Sequence, residues 1–264
     1  MLIDTHCHLY DEKFVDTEKV IQRAEENGVS KIICAGCDIA SCEKVIELAN
    51  RYESVYACIG IYPEFAGCYS DGVEEKLLQM SKNPKVVGIG EIGIDYGYIS
   101  ATLEHDFSYY KDIQKNVFLR QMALAKKLGL PAVIHARDCY GDAVTLLREN
   151  QDKISKGAFH CFTGSKELAK EIVKLGFYIS VGGVSTFQNA KNVKAMVESV
   201  PLENIILETD SPYLSPSPMR GKINEPAYVK YVAQNLAEIK NIDVKLVEKV
   251  TTESALNLFN LGGK

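Results

Sequence analysis

The sequence LIDTHCHL, residues 2–9, determines how the rest of the chain is interpreted. An apolar start leads into His6 and His8, and side chains alternate between the two faces of a β-strand, so residues with this spacing point the same way. The pair can therefore hold one metal ion at a strand end. Two imidazoles do not complete the coordination shell of a divalent ion, which takes about four to six donor atoms. The pattern predicts that distant parts of the chain supply further histidines and carboxylates.

The composition favours one large domain without a membrane segment. The chain has 264 residues, 46% of them hydrophobic, and no linker-like or low-complexity stretch interrupts residues 1–264, which are predicted to form a single domain. The net charge of −5 argues against a broad basic surface for nucleic acid. The sequence has no signal-peptide pattern and no run of about twenty apolar residues. We therefore expect a cytoplasmic protein with no membrane association and no obligate protein partner.

The eight cysteines are predicted to be reduced. Cys34 and Cys37 form a C-x-x-C, which is compatible with a metal or redox site. No second C-x-x-C follows, and free cysteine packs as a small hydrophobe. Structural thiols in a reducing compartment are the favoured interpretation, and a metal or redox site is the alternative.

Short apolar runs alternate with amphipathic stretches along the chain. The predicted strands are 2–8, 31–36, 55–61, 86–91, 132–136, 157–161, 177–181 and 205–208, and a predicted helix follows each one. Eight strand–helix units are what a (β/α)8 barrel requires, and apolar runs fit parallel strands that are buried on both faces. The predicted fold class is therefore α/β, a single-domain (β/α)8 TIM barrel.

Metal-capable side chains recur at the predicted strand ends. Glu91 ends the fourth strand, His135 the fifth and His160 lies in the sixth, while Asp210 follows the eighth. The carboxyl ends of barrel strands share one face, so these residues are expected to meet His6 and His8 there. Four of the five histidines lie at such ends, although His135 or His160 taken singly fits a hydrogen-bonded core residue equally well. Six ligands with one shared carboxylate predict two divalent ions.

Six motifs resemble those of the TatD family of metal-dependent deoxyribonucleases, within the amidohydrolase-like TIM-barrel superfamily. They are IDTHCHL (3–9), GEIGIDY (90–96), VIHARD (133–138), FHCFTGS (159–165), LETDSPYL (207–214) and RGKINEPAYV (220–229). The resemblance implies a hydrolase with two divalent ions that cleaves phosphodiester bonds of DNA, often as an exonuclease. By position, it implies that His6 and His8 bind the first ion and that His135 and His160 bind the second. It also implies that Glu91 bridges both ions and that Asp210 is the strand-eight aspartate.

The expected chemistry explains these residue types. Two adjacent ions can bind the attacking hydroxide and the phosphoryl oxygens, and they lower the pKa of bound water. Asp210 is the predicted proton acceptor for that water and Glu91 the bridging catalytic carboxylate. For Asp210, a cap of the turn at residues 211–212 is the alternative. Histidine ligands favour Zn, Mn, Ni or Co, and a phosphate site rich in water also accepts Mg, so the identity of the metal stays open.

The predicted substrate contacts are Tyr62, Arg137, Arg220 and Lys222. Arg137 follows His135 by two residues, and Arg220 and Lys222 lie in the loop after the eighth strand, so all three can bind phosphate, and surface salt bridges are the alternative. Tyr62 stands where the family usually has a histidine, and it can donate a hydrogen bond to phosphate or simply pack. Residues 97–110 exceed the family norm in length, and they are expected to form either a lid with base-stacking tyrosines or a surface loop.

Three functions are compatible with these observations. The first is a deoxyribonuclease, with DNA as its partner and substrate. The second is the same dinuclear scaffold acting on a small phosphoester, an ester or an amide, because a shared barrel does not fix the reaction. The third, a metal-binding protein without turnover, is disfavoured by the complete set that includes Glu91 and Asp210.

Overall fold

Eight parallel strands, arranged in sequence order, form the centre of the molecule. A computed structural model describes residues 1–98 and 107–262. The strands are β1 (Leu2–Cys7), β2 (Val29–Ala35), β3 (Val55–Ile59), β4 (Val86–Asp95), β5 (Ala132–Arg137), β6 (Gly157–Phe159), β7 (Tyr178–Val181) and β8 (Ile205–Leu207). Each strand pairs in parallel with the next, which confirms the predicted TIM barrel.

The helices surround this barrel. They are α1 (Thr17–Glu26), α2 (Ile39–Arg51), α3 (Asp71–Met80), α4 (Phe107–Leu128), α5 (Tyr140–Glu149), α6 (Lys166–Lys174), α7 (Lys191–Ser199), α8 (Val229–Lys240) and α9 (Val244–Leu258). Within the described ranges, none of them combines the length and the apolar character needed to cross a bilayer. Of the predicted insertion 97–110, residues 99–106 lie outside the described part of the chain, and Phe107 begins α4.

The strands are buried on both faces, as their apolar sequences predicted. In β2, Ile32 and Cys34 belong to the larger hydrophobic cluster, which includes the apolar faces of the helices. Ile33 and Ala35 belong to a smaller cluster, which Phe259 joins from the end of the chain. Neighbouring residues of a strand thus pack on opposite faces of the sheet.

The barrel closes between β1 and the segment that follows β8. Cys7 forms a parallel bridge with Ser211. On either side of that bridge, the Asp210 N–H donates to the His6 carbonyl at 2.9 Å, and the His8 N–H donates to the Ser211 carbonyl at 2.7 Å. The hydrogen bonds that seal the barrel therefore involve the backbone of predicted site residues.

Strand β4 extends further than predicted, to Asp95 rather than Glu91. Its glycines resemble a turn in the sequence, but they serve close packing between neighbouring strands. Gly93 has φ of +148°, and a Cβ at this position would collide with the His135 carbonyl on β5. The extension adds a second acidic residue, Asp95, to the carboxyl end of β4.

Candidate metal centre

The carboxyl ends of the strands bring the six predicted metal ligands together. His6 lies near the end of β1, Glu91 and His135 lie within β4 and β5, and His160 directly follows β6. Five of the six side chains line one cavity of about 300 Å³. These five are His8, Glu91, His135, His160 and Asp210. The sixth, His6, lies behind them and is 1% exposed.

The first group is built on the two histidines of the opening motif. Their Nε2 atoms are 3.2 Å apart. Asp210 Oδ1 lies 3.6 Å from His6 Nε2 and 3.4 Å from His8 Nε2. Glu91 Oε2 faces the same two nitrogens at 3.5 and 3.7 Å.

The second group is built on His135 and His160. His135 Nδ1 and His160 Nε2 are 3.1 Å apart. Glu91 Oε1 lies 3.0 Å from the first nitrogen and 2.8 Å from the second. The two oxygens of Glu91 thus face different pairs of imidazoles.

The chemistry of this donor set fits a divalent cation. The nitrogens in each pair are 3.1 and 3.2 Å apart, close to the separation of about 3 Å expected for two ligands that are each about 2.0–2.1 Å from one ion. When His135 donates its Nε2 proton to Asp95, its Nδ1 lone pair faces a carboxylate oxygen 3.0 Å away. Two acceptors at this distance need a cation or a proton between them. The structure therefore gathers residues that could hold metal, while their roles as ligands remain predictions.

Two acids that sequence reasoning did not assign lie behind the imidazoles, and one of them is hydrogen-bonded to its ring. Asp95 Oδ2 accepts a hydrogen bond from His135 Nε2 at 3.1 Å. Glu208 is fully buried, and its Oε1 lies 3.7 Å from His160 Nδ1, beyond direct hydrogen-bond distance. A carboxylate behind a histidine fixes the orientation and tautomer of the ring. Glu208 precedes Asp210 by two residues, the same spacing that relates His6 to His8, and this spacing could have identified it.

The two acids of the centre are held in their ionised form. Burial would raise the pKa of Glu91, but the charge of His160 and the hydrogen bonds of the surrounding imidazoles hold it well below its usual range. Burial would likewise raise the pKa of Asp210, but the hydrogen bond with His8 lowers it. Both side chains therefore offer negative charge at neutral pH.

Three of the four histidines have a raised pKa. Burial would lower the pKa of His8, His135 and His160, but their carboxylate partners outweigh it. The principal partners are Asp210 for His8, Asp95 for His135 and Glu91 for His160. By contrast, burial and the charge of His160 lower the pKa of His6. Protons and metal ions therefore compete for the same lone pairs.

One cysteine also belongs to this region. All eight cysteines lie within the described residues and are free, as the prediction of reduced thiols requires. Cys34 is fully buried and packs as expected of a structural thiol, whereas Cys37 is partly exposed and lines the cavity. Its Sγ lies 3.9 Å from Glu91 Oε2. The structural interpretation therefore fits Cys34 but does not describe Cys37.

The predicted substrate contacts do not all meet at the centre. The Tyr62 hydroxyl lines the cavity but donates to Asp95 Oδ2 at 2.9 Å. Arg137 is exposed and lines a neighbouring cavity of about 470 Å³, shared with His135, His160 and Asp210. Arg220 and Lys222 line neither cavity.

The two basic residues after β8 have other surroundings. The guanidinium of Arg220 lies over the ring of Phe187, 4.1 Å from its centroid. Lys222 is exposed, and its ammonium group forms no ion pair with any described residue. Glu225, in the same loop, accepts hydrogen bonds from Arg23, the shortest at 2.6 Å.

The outer part of the 300 Å³ cavity is acidic and aromatic. Asp11 and Glu64 line it together with Tyr10, Phe65 and Tyr213. Its lining contains no lysine or arginine among the residues that the structure describes. The larger cavity has Arg137 beside Asp138 in its lining, so it offers a positive charge that the described lining of the smaller cavity lacks.

Comparison with known proteins identifies relatives over the full length of the chain. A family model described as TatD related DNase matches residues 3–260. The uncharacterized metal-dependent hydrolase YabD of Bacillus subtilis is 43% identical over 265 residues, which cover 99% of this chain and 100% of that protein. The solved structure of YJJV, a TatD homolog from Escherichia coli K12, has 30% identity and a TM-score of 0.88, with 98% of each chain covered. A TatD family hydrolase from Entamoeba histolytica has 26% identity and a TM-score of 0.83, with 98% of this chain and 97% of that one covered.

Proposed function

Because the chain belongs to the family of TatD-related DNases, we propose that it hydrolyses phosphodiester bonds of DNA with the help of two divalent ions. The chain is a metal-dependent hydrolase of this family. Our proposal adds the substrate, the number of ions and the roles of individual residues.

The main support is the position of Glu91 between two pairs of imidazoles. Its Oε1 is within 3.0 Å of His135 and His160, and its Oε2 is 3.5–3.7 Å from His6 and His8. A carboxylate that shares its oxygens in this way suits a bridge between two cations. In our proposal, His6, His8 and Asp210 hold one ion, His135 and His160 hold the other, and Glu91 serves both.

Two bound ions would supply positive charge for the phosphate and would ease deprotonation of water. Asp210 is our choice of general base. It lines both cavities, its side chain is 15% exposed, and its lowered pKa keeps it in the ionised form that a base requires. As the oxygen of the attacking water bonds to phosphorus, Asp210 takes the water's proton. As the bond from phosphorus to the leaving oxygen breaks, Asp210 passes the proton to that oxygen.

The charged residues around the metal centre suggest how the substrate is oriented relative to the two cavities. Arg137 is exposed on the larger cavity and can donate two parallel hydrogen bonds to a phosphate. We assign it to the phosphate next to the cleaved bond. Arg220 and Lys222 are exposed on the loop after β8, and we assign them as outer contacts for a longer DNA strand. Tyr62 reaches the substrate only indirectly, because its hydroxyl is engaged by Asp95.

The acidic lining of the smaller cavity favours a second candidate. Asp11 and Glu64 repel a polyanion that would extend in that direction. A small phosphoester, or an ester or amide without a second phosphate, would avoid this repulsion. The same centre could hydrolyse such a compound with the same groups.

Cleavage of a labelled single-stranded oligonucleotide by purified protein with added Mg, Mn, Zn, Ni or Co tests the proposal. We expect cleavage that falls by about 10²–10⁴-fold in Asp210→Asn and that is unchanged in Asp112→Asn, a matched replacement of an exposed acid on α4. A panel of small phosphoesters, esters and amides is assayed in parallel. Turnover of small compounds alone would support the second candidate. Cleavage that survives intact in Asp210→Asn would refute the role of that residue.

A further inference from the structure

We propose that Cys37, together with His8 and Glu91, forms a soft-donor position that binds a thiophilic divalent ion such as Zn²⁺. The inference uses the metal centre of the proposed function but does not depend on the substrate.

The three side chains present their ligand atoms to one point. A ring nitrogen of His8, Cys37 Sγ and a carboxylate oxygen of Glu91 all lie within 4.8 Å of one another. Glu91 Oε2 is 3.7 Å from His8 Nε2 and 3.9 Å from Cys37 Sγ. Zinc binds sulfur at about 2.3 Å and imidazole nitrogen at about 2.0–2.1 Å. Ligands around one zinc ion are therefore slightly closer together than these atoms, and small side-chain rotations cover the difference.

The backbone at Cys37 is fixed at the edge of the cavity. Cys37 follows β2 by two residues, at the carboxyl end of the barrel. Its N–H donates to Ser41 Oγ at 2.9 Å, and its carbonyl accepts from the Tyr62 N–H at 2.8 Å. These two hydrogen bonds fix the backbone of Cys37 in a position from which its thiol faces the histidines.

A neighbouring hydroxyl completes the surroundings of the sulfur. Tyr10 O–H donates to Cys37 Sγ at 3.4 Å, and such a bond stabilises negative charge on sulfur when the thiol proton is released to solvent on metal binding. Cys34 instead accepts from the Leu9 N–H at 3.2 Å inside the packed layer. Of the two cysteines in the C-x-x-C, only Cys37 lines the cavity.

A thiolate changes which metals the centre prefers. Imidazole and carboxylate groups accept both magnesium and transition metals, whereas thiolate strongly favours zinc or cobalt over magnesium. His8 and Glu91 also belong to the first predicted ion position. Zinc held by Cys37 therefore competes with an ion held by His6, His8 and Asp210.

Cobalt provides a test that does not rely on activity. The full-length, metal-free protein is titrated with Co²⁺, and absorption in the near ultraviolet is recorded, where charge transfer from thiolate to cobalt occurs. We expect this band in the unaltered protein and in Cys68→Ser, a matched change at an exposed cysteine, and its loss in both Cys37→Ser and Cys37→Ala. In the same variants, zinc affinity measured by competition with a chromophoric chelator falls by about tenfold or more, while magnesium affinity changes far less.

Two outcomes would overturn the inference. One is cobalt that binds to the unaltered protein, as its visible bands show, without a charge-transfer band. The other is a band that persists in both Cys37 variants. Either result leaves the proposed hydrolase function standing, because oligonucleotide cleavage is measured separately. Failure of the hydrolase proposal would appear instead as absent cleavage in protein that retains the cobalt band.

Discussion

Replacing Asp95 with asparagine should weaken metal binding without removing a predicted ligand. Asp95 Oδ2 accepts hydrogen bonds from His135 Nε2 at 3.1 Å and from the Tyr62 hydroxyl at 2.9 Å, and Oδ1 accepts from the Tyr98 N–H at 2.8 Å. An asparagine has only one acceptor oxygen. Whichever way its amide is turned, one of these donors meets an NH₂ group.

The expected magnitude comes from the bond to His135. Loss of a carboxylate behind a metal-binding histidine costs about 10–100-fold in affinity, or about 1.4–2.8 kcal/mol at 1.4 kcal/mol per tenfold. Titration of metal-free protein with zinc against a competing chelator measures this change, and the number of ions bound at saturation should not change. Tyr62→Phe is the matched control, because it removes the contacts of the tyrosine hydroxyl with Asp95 and with His135 Nε2, 3.2 Å away, but leaves the hydrogen bond from His135 to Asp95. It should cost about 1 kcal/mol or less.

Two results would refute this reasoning. Asp95→Asn could bind zinc as tightly as the unaltered protein, which would mean that the carboxylate does not orient His135. Alternatively, Tyr62→Phe could weaken binding as much as Asp95→Asn does. The second result would assign the effect to the tyrosine rather than to the bond between the acid and the imidazole.

Three further predictions concern metal content, pH and the barrel. His135→Ala should bind about one ion fewer per chain, and an unchanged metal content measured by atomic emission would contradict its assignment as a ligand. Because the pKa values of His8, His135 and His160 are raised above 6.5, these rings stabilise the folded metal-free chain below pH 6.5, and that stabilisation is lost as pH rises through their folded-state values. Chelator-treated protein should therefore unfold at a lower temperature at about pH 8.5 than at about pH 6, and added zinc should abolish or reverse the difference. Gly93→Ala should destabilise the fold by about 3 kcal/mol or more through its collision with β5, whereas Gly176→Ala, at φ +85° with open space around it, should cost about 1 kcal/mol in urea unfolding.

The fold and the predicted ligand set follow largely from local sequence signals. Parallel strands buried on both faces produce apolar runs, and eight such runs separated by helices leave few topologies other than the barrel. The carboxyl ends of all barrel strands share one face. The position of each residue in its strand was therefore enough to predict that His6, Glu91 and His160 lie together. No long-range information was needed for that step.

The remaining parts of the centre depend on tertiary contacts. Asp95 was not assigned because the predicted fourth strand ended at Glu91, and only the close approach of β5 explains the glycine that follows. Cys37 reaches the cavity because a hydrogen bond to Ser41 fixes its loop, a detail that composition cannot convey. Arg220 lies over Phe187, and nothing in the spacing of the two residues indicates this contact.

The seam of the barrel has a consequence for how the protein is made. His6 and Asp210 share a backbone hydrogen bond, and Cys7 bridges to Ser211, so the first strand is held by a segment that is made only after all eight strands. Until that segment emerges, the opening histidines have neither their aspartate nor a sealed wall behind them. The first predicted ion position is therefore complete only after synthesis has passed the seam.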